Sequence, residues 1–317
     1  MRRAAFIFNP NAGRGGRSRL GMLERAANVL LSDGIQAEII PTHGRGTAGA
    51  QAADAAGHGA DLIFACGGDG TLHEVIQGLA HHPSATVGIL PLGSANALAR
   101  HLGLSFNPAE AVRQQLEFTA RSIPLGRVTC ETPEGTRSRY FAVMAGAGPD
   151  GMLVYRMLAA GKQRLGRSVY YLRAARLFLS SRFSSFLVRT NLQDGVLLER
   201  DAVSAMAIRV GDLGGIFSPL THGASPMDDN LQLTLTTPPS HLTLPFWFAT
   251  SWTRTHRWNP YTQHLCVADF SCSAAEPRAH VQADGEWIGT TPMRVELIPN
   301  ALRLLMPPTQ ATSPKAR

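Results

Sequence analysis

Short apolar runs recur along the first 122 residues, and each is followed by a turn and then by apolar positions at helical spacing. The runs lie at residues 4–8, 36–42, 62–66 and 86–90. Alanine and leucine positions after these runs predict helices, among them 46–57 and 107–119. Strands that alternate with helices in this way are typical of a doubly wound parallel sheet. We therefore predict an α/β N-terminal domain over residues 1–122.

From residue 123 onward the pattern changes to strands separated by turn residues, which indicates an antiparallel arrangement. We predict a mainly antiparallel β-sandwich domain with helical insertions over residues 123–306, and a disordered tail over 307–317. The predicted strands are 127–131, 139–145, 186–190, 202–210, 231–236, 265–271 and 301–306. Residues 150–182 carry many arginines among Leu, Met and Tyr and predict basic amphipathic helices, with an ordinary solvated helix pair as the alternative.

Composition narrows the class of protein. The 317 residues are 44% hydrophobic with a net charge of +7, which favours anionic partners such as nucleotide phosphates or acidic lipid headgroups. No dense basic block occurs, and we expect no nucleic acid partner. The four cysteines have no C-x-x-C or zinc spacing, which fits a reducing cytoplasm. No apolar run is long enough to span a membrane.

The most informative stretch is residues 61–75, where an apolar run breaks into the letters GGDGT and continues as LHEV. It predicts a buried strand, a tight loop and a helix start, with Thr71 as N-cap and Glu74 closing a capping box. A helix N-terminus attracts phosphate because its first N–H groups have no internal partner. A Walker A loop is excluded, since the loop contains no Lys. Asp69 beside a phosphate implies Mg²⁺ between them; an ordinary glycine-rich turn is the alternative.

The letters GGDGTLHEV resemble the nucleotide-binding signature of the diacylglycerol kinase catalytic-domain superfamily, which includes bacterial lipid kinases, sphingosine kinases and ceramide kinases. NAD kinases and phosphofructokinases share the GGDG core more distantly. Three further motifs match the superfamily in order, NPNAG at residues 9–13, GSAN at 93–96 and DGE at 284–286. The order and spacing of these motifs make the resemblance specific.

The resemblance implies an ATP site at the carboxyl ends of the first strands, where open α/β sheets bind ligands. Some positions depart from the family pattern: Ala12 replaces Ser, His73 replaces Asn, Ser94 replaces Thr and Ala97 replaces Asp. In PLGSANALAR a glycine and the Ser94 hydroxyl also predict a helix N-cap. The nucleotide-binding residues that the resemblance implies are Asn9, Pro10, Asn11, Ala12, Gly13, Thr42, Gly67, Gly68, Asp69, Gly70, Thr71, Leu72, His73, Glu74 and Ser94.

The letters SPMDDNL resemble a family turn, DDGxL, in which a carboxylate and flanking carbonyl groups hold a structural Mg²⁺. The resemblance assigns the carboxylate to Asp229 and the carbonyl groups to Pro226 and Leu231. Asn230 stands where the family has Gly, and Asn tolerates the same left-handed conformation. A plain hairpin turn without metal is the alternative.

In the DGE motif, the resemblance places acidic side chains opposite the γ-phosphate. Phosphoryl transfer to an alcohol needs a carboxylate that accepts the hydroxyl proton, and Asp284 and Glu286 are both candidates. They lie on the same side of the chain if the segment is extended. Asp-Gly is also a strong hairpin signal, so a purely structural turn is the alternative. Asp69 completes the predicted catalytic set.

The resemblance implies an ATP-dependent, Mg²⁺-requiring lipid kinase of phospholipid metabolism, with the nucleotide in the interdomain cleft and a diacylglycerol-like or sphingoid-like hydroxyl as acceptor. A kinase of NAD or another soluble substrate, and a non-catalytic nucleotide- or lipid-binding relative, are the alternatives. We expect a cytoplasmic protein that docks peripherally on anionic membranes through the Arg-rich segment 155–182 and the aromatic and basic stretch 242–258. Homodimer formation stays open.

Overall fold

The structure is a computed structural model, and it describes residues 2–10, 16–82, 84–159, 183–211, 224–237 and 261–308. The chain forms two compact units. The first contains the residues up to Ile123 and those from Asn300 onward, and the second is Pro124–Pro299. Most of the predicted tail, the Arg-rich segment beyond Ala159 and the stretch 242–258 lie outside the described residues.

A parallel sheet forms the centre of the first unit, with strands β1 (Arg3–Phe8), β2 (Gln36–Pro41), β3 (Leu62–Gly67) and β4 (Thr86–Pro91). The strand order is β2-β1-β3-β4. Every residue of β3 and β4 is buried. A strand covered on both faces has no polar side to expose, which explains why these segments are unbroken apolar runs in the sequence.

Helices pack on this sheet and fix the loops at its carboxyl edge. They are α1 (Gly16–Ser32), α2 (Ala48–Gly57), α3 (Asp69–Leu79), α4 (Ala97–His101) and α5 (Pro108–Leu116). Phe6 and Phe64 meet edge to face in the core, with 5.1 Å between ring centroids. α2 and α3 are in close contact, because a Cβ atom on Gly78 would collide with the backbone of Gly49. This contact holds α3 in place behind the glycine-rich loop.

The last strand, β15 (Glu286–Met306), contributes residues to both units. Its final part pairs with β4 in parallel, Leu304 lying opposite Val87. The sequence-based boundary assigned residues 300–306 to the second domain, whereas the structure groups them with the first unit. Next to this short pairing, the buried side chain of Gln115 binds both the N–H and the carbonyl of Ile89, each at 2.8 Å.

The strand pairs described within the second unit are antiparallel. The strands that precede β15 are β5 (Thr119–Thr132), β6 (Gly135–Phe141), β7 (Met144–Ala147), β8 (Phe186–Asn191), β9 (Leu197–Ala202), β10 (Ser204–Ile208), β11 (Leu231–Thr236), β12 (Thr262–Val267), β13 (Asp269–Cys272) and β14 (His280–Ala283). They run in the order β12-β11-β10-β7-β14-β15, while β13 joins β15 to the β8–β9 hairpin and β5 pairs with β15 and β6.

One more helix, α6 (Pro149–Ala159), follows β7. A core of buried apolar side chains, with Phe141 and Phe270 among its largest members, stabilises this unit. The predicted fold class, an α/β domain followed by a mainly antiparallel β domain, is confirmed. Within the described residues, every helix is too short or too polar to cross a bilayer.

Candidate functional site

The glycine-rich loop joins β3 directly to α3. Gly68 is the N-cap in an extended conformation, and the helix begins at Asp69. A Cβ atom on Gly67 would collide with the side chain of Thr71, so this tight connection requires glycine. The first N–H groups of α3 therefore lie at the carboxyl edge of the parallel sheet. Helix N-termini in this position bind phosphate groups.

The predicted capping box is wrong. The helix begins earlier than the sequence predicts, so Thr71 is buried in its first turn and is not the N-cap. Glu74 then lies in the second turn, too far from the N-cap to close a box. Its carboxylate instead accepts the N–H groups of Gly46 at 2.8 Å and Ala48 at 3.0 Å. Glu74 thus ties the loop after β2 to α3.

Asp69 ties a second loop to the same helix. Its carboxylate oxygens accept the N–H groups of Asn96 at 2.8 Å and Ala97 at 2.7 Å, at the start of α4. The residue is partly buried rather than on an exposed loop. An acidic residue here therefore has a role that needs no metal ion: it positions the loop after β4 against the N-terminus of α3.

The loop after β4 is built around Asn96. This residue is in the left-handed conformation, with φ of 50°, and is the N-cap of α4. Its side chain binds the N–H of Gly93 at 3.1 Å and the carbonyl of Gly93 at 2.8 Å. A Cβ atom on Gly93 would collide with Gly68, so the two glycine-rich loops touch backbone to backbone. The predicted hydroxyl N-cap is wrong, because Ser94 lies exposed in the bend before the helix.

The ends of β1 and β2 complete this edge of the sheet. Asn9 donates its backbone N–H to the Cys66 carbonyl at 3.3 Å, and Thr42 donates to the Phe8 carbonyl at 2.7 Å. The structure therefore brings the predicted nucleotide-binding positions Asn9, Thr42, Gly67–Glu74 and Ser94 to one edge. Leu72 and His73 are buried, Gly70 is partly buried and Pro10 is exposed, while Asn11, Ala12 and Gly13 lie outside the described residues.

In the second unit, Asp284 and Gly285 form the two-residue turn between β14 and β15. Both have positive φ, 48° and 82°, as a tight hairpin of this kind requires. The Asp284 carboxylate accepts three backbone N–H groups, from Ala142 at 3.0 Å, Val143 at 2.9 Å and Met144 at 3.0 Å. Because the chain turns here, the extended arrangement that would place Asp284 and Glu286 on the same side does not form. Glu286 is the partly buried first residue of β15.

A buried carboxyl group that the sequence analysis missed lies beside this hairpin. Asp150, in the first turn of α6, accepts the Gln282 amide N–H at 3.1 Å, and the Gln282 oxygen accepts the N–H of Gly285 at 2.9 Å. Its Oδ1 atom is buried and has no hydrogen-bond partner among the described residues. Burial raises the pKa of Asp150 to about 6. An acidic residue at a helix start is common, so no sequence pattern marks Asp150 as buried.

An aromatic cluster packs next to Asp150 and the hairpin. The rings of Tyr155 and His280 stack with 4.2 Å between centroids, and Trp287 donates its indole N–H to Nδ1 of His280 at 3.1 Å. Burial lowers the pKa of His280. The cluster fixes the first residues of β15, and with them Glu286, against α6.

The turn before β11 is the site at which the sequence predicts Mg²⁺. The Pro226 carbonyl accepts a hydrogen bond from the Arg209 guanidinium at 2.6 Å. The Asp229 carboxylate is exposed, and Leu231 begins β11. Burial lowers the pKa of Arg209 to about 10, while the charges of Asp228 and Asp229 oppose that change, so the side chain stays positive at neutral pH. The turn thus already holds a positive charge, and its residues do not fit a metal ion at the Pro226 carbonyl.

The sequence of the chain is similar to those of known proteins. Residues 3–128 match the diacylglycerol kinase catalytic domain. The chain is 30% identical to the diacylglycerol kinase of Bacillus subtilis over 217 residues, which are 68% of this chain and 67% of that protein. It is also 30% identical to the diacylglycerol kinase of Staphylococcus saprophyticus over 173 residues, which are 54% of this chain and 53% of that protein.

Solved structures share the fold. A diacylglycerol kinase structure from Bacillus anthracis superposes with a TM-score of 0.69 at 20% identity, covering 96% of this chain and 97% of that chain. Yeast NADH kinase complexed with NADH superposes with a TM-score of 0.53 at 10% identity, covering 97% of this chain and 84% of that chain. At these identities the likeness concerns the fold alone, and both kinds of kinase share it.

Proposed function

The chain belongs to the diacylglycerol kinase catalytic-domain family, and from this premise we propose that it is an ATP-dependent kinase that transfers the γ-phosphate to a hydroxyl group of a lipid. The acceptor class is diacylglycerol-like or sphingoid-like. The observation that carries the proposal is the edge of the first sheet, where Asp69 and Glu74 tie the loops after β4 and β2 to the start of α3. This edge supplies backbone donors for a polyphosphate.

The nucleotide would bind this edge through backbone groups rather than lysine side chains. The chain has only two lysines, Lys162 and Lys315, and neither belongs to the motifs. N–H groups at the start of α3 and the positive end of its dipole attract phosphate. Gly67, Gly68 and Gly93 let Thr71 and the two loops pack closely at this edge, which holds the N–H groups in place. Asn9, Thr42 and Ser94 lie at the same edge and can contact the rest of the nucleotide.

Mg²⁺ would enter with ATP. The described residues contain no group of three or more His, Cys, Asp or Glu side chains that could hold a metal ion. This fits the usual behaviour of Mg²⁺, which keeps several water ligands and binds through substrate phosphates. When bound, the ion neutralises developing charge on the phosphates. Asp69 is the carboxylate of the GGDGT motif, and its two hydrogen bonds hold the loop after β4 at this edge.

Glu286 would accept the proton of the lipid hydroxyl during transfer. Asp284 is less suited to this task, because its carboxylate oxygens already accept three backbone N–H groups. We assign Asp284 a positioning role, in which it holds the hairpin and thereby the start of β15. Asp150 supports the same hairpin through Gln282.

A lipid acceptor has to be reached at a membrane surface. The chain carries a net charge of +7, which favours anionic membranes. We propose peripheral docking from the cytoplasm through the Arg-rich segment 155–182 and the aromatic and basic stretch 242–258. This part of the proposal rests on the sequence, since almost all of these residues lie outside the described ones.

The acceptor is tested by measuring ATP turnover with diacylglycerol, sphingosine and NAD in parallel. We expect turnover with a lipid acceptor and none above background with NAD. A soluble nucleotide acceptor is the second candidate, favoured by the fold shared with yeast NADH kinase. Turnover with NAD alone would contradict the lipid proposal and favour that candidate. Nucleotide binding without turnover on any acceptor would favour a non-catalytic relative.

A further inference from the structure

The turn that leads into β11 brings several backbone carbonyl groups to one point. Asp228 closes the turn by accepting the Ser225 N–H at 2.8 Å. The carbonyl groups of Pro226, Asp228 and Asn230 all accept hydrogen bonds from one side chain, that of Arg209. Groups of carbonyl oxygens are the ligands that hard cations take in proteins. The turn is therefore built around a positive charge.

Arg209 occupies this position with the two Nη atoms of its guanidinium. Its Nη2 atom donates to the Pro226 carbonyl at 2.6 Å and to the Asp228 carbonyl at 3.2 Å, and its Nη1 atom donates to the Asn230 carbonyl at 3.3 Å. Nη2 also donates to the Pro124 carbonyl at 3.3 Å, and only 1% of the residue is exposed. Arg209 follows β10, which pairs with β11, so the sheet itself delivers the guanidinium to the turn.

A Mg²⁺ ion does not fit beside this guanidinium. Mg²⁺ requires nearly octahedral oxygen ligands at about 2.0–2.1 Å, whereas the Pro226 oxygen already accepts a charged donor. A second cation on the same oxygen would lie against the guanidinium and be repelled by it. The Asp229 carboxylate, the anionic ligand that the resemblance implies, is exposed to solvent.

We infer that the Arg209 guanidinium takes the structural place that the family resemblance assigns to Mg²⁺, so a covalently attached cation holds this turn. The inference is independent of the proposed kinase activity, because it concerns the stability of the turn and not the MgATP that would enter the reaction. Its consequence is that the second unit keeps its fold when divalent cations are removed.

The first experiment is thermal unfolding of the full chain without nucleotide, in EDTA or in Mg²⁺. We expect the two melting temperatures to agree within about 1 °C, because a change of about 1 kcal/mol in the free energy of unfolding would shift the melting temperature by more than that. If Mg²⁺ raises the melting temperature of the wild type but not that of Asp229→Ala, the inference is overturned. If Mg²⁺ raises the melting temperatures of both proteins equally, the ion binds elsewhere and the inference is supported.

The second experiment removes the guanidinium. Arg209→Met keeps most of the side-chain length but leaves the carbonyl groups without their donor, so we expect the melting temperature to fall by about 5 °C or more. Arg200→Met, at an exposed position of β9, is the matched control and should melt as the wild type does. If Arg209→Met cannot be purified, Arg209→Lys, which keeps the charge but not the fork of donors, should show an intermediate fall. Wild-type melting of either Arg209 variant would contradict the inference.

Discussion

Replacing Asp69 by alanine tests whether this carboxylate holds the two loops of the candidate site together. The change removes two charge-assisted hydrogen bonds, to the N–H groups of Asn96 and Ala97. Such bonds contribute about 1.5–3 kcal/mol each, and partial exposure lets water replace part of that interaction. We therefore expect the free energy of unfolding to fall by about 2–4 kcal/mol, with the fold retained and kinase turnover lost because the nucleotide edge is no longer ordered.

Hydrogen exchange measured by mass spectrometry locates the effect. In Asp69→Ala, the peptide spanning residues 93–101 should exchange faster than in the wild type, because two of its amides lose their acceptor. Asp54→Ala is the control, since Asp54 is exposed on α2 and its contact with His58 contributes less than about 1 kcal/mol. Unchanged exchange in this peptide, together with unchanged stability, would refute the role assigned to Asp69. Kinase turnover at the wild-type rate by folded Asp69→Ala would show that activity does not need the Asp69 carboxylate.

Three further outcomes follow from the second unit and the surface charge. Asp284→Ala should lower the unfolding free energy by about 3 kcal/mol in urea titrations, because three N–H groups lose their acceptor, and Asp284→Asn should lose less. Burial raises the pKa of Asp150 to about 6 in the folded chain, above its ordinary 3.8. The folded state therefore binds this proton more tightly, and its stability should decline as pH rises from about 4 to 7, by about 3 kcal/mol; urea titrations of Asp150→Asn should lack this decline. The chain should sediment with anionic vesicles at low salt and with neutral ones hardly at all, and equal sedimentation with both would contradict electrostatic docking.

Much of the fold could be predicted from local pattern. The buried strands β3 and β4 have an unbroken apolar sequence, and β11 was predicted at residues 231–236, as observed. The partner of the last strand could not be predicted in the same way. Residues 301–306 have a clear strand pattern, but their pairing with β4 joins segments more than two hundred positions apart, and no local spacing encodes such a contact.

In the candidate site, too, local pattern predicted the backbone elements but not the long-range contacts of the side chains. The GGDG motif indicated the correct loop and helix, yet the partners of its polar side chains depend on neighbouring elements that the motif does not contain. Glu74 matches a capping box by spacing, but its carboxylate accepts the N–H groups of Gly46 in the loop after β2 and of Ala48 at the start of α2. Asp150 and Arg209 gave no signal, because their burial is decided by the packing of α6 and of the turn before β11. Single polar residues acquire such roles only in the folded chain.

Lipid phosphorylation can be measured by following the label of γ-labelled ATP in a reaction with diacylglycerol and sphingosine presented in anionic vesicles. We predict that the label appears in a chloroform-soluble phospholipid, and that Glu286→Gln lowers the rate by about 100- to 10,000-fold while its melting temperature stays at the wild-type value. Label that remains in ATP or inorganic phosphate with every lipid, or a folded Glu286→Gln variant with the wild-type rate, would contradict the account.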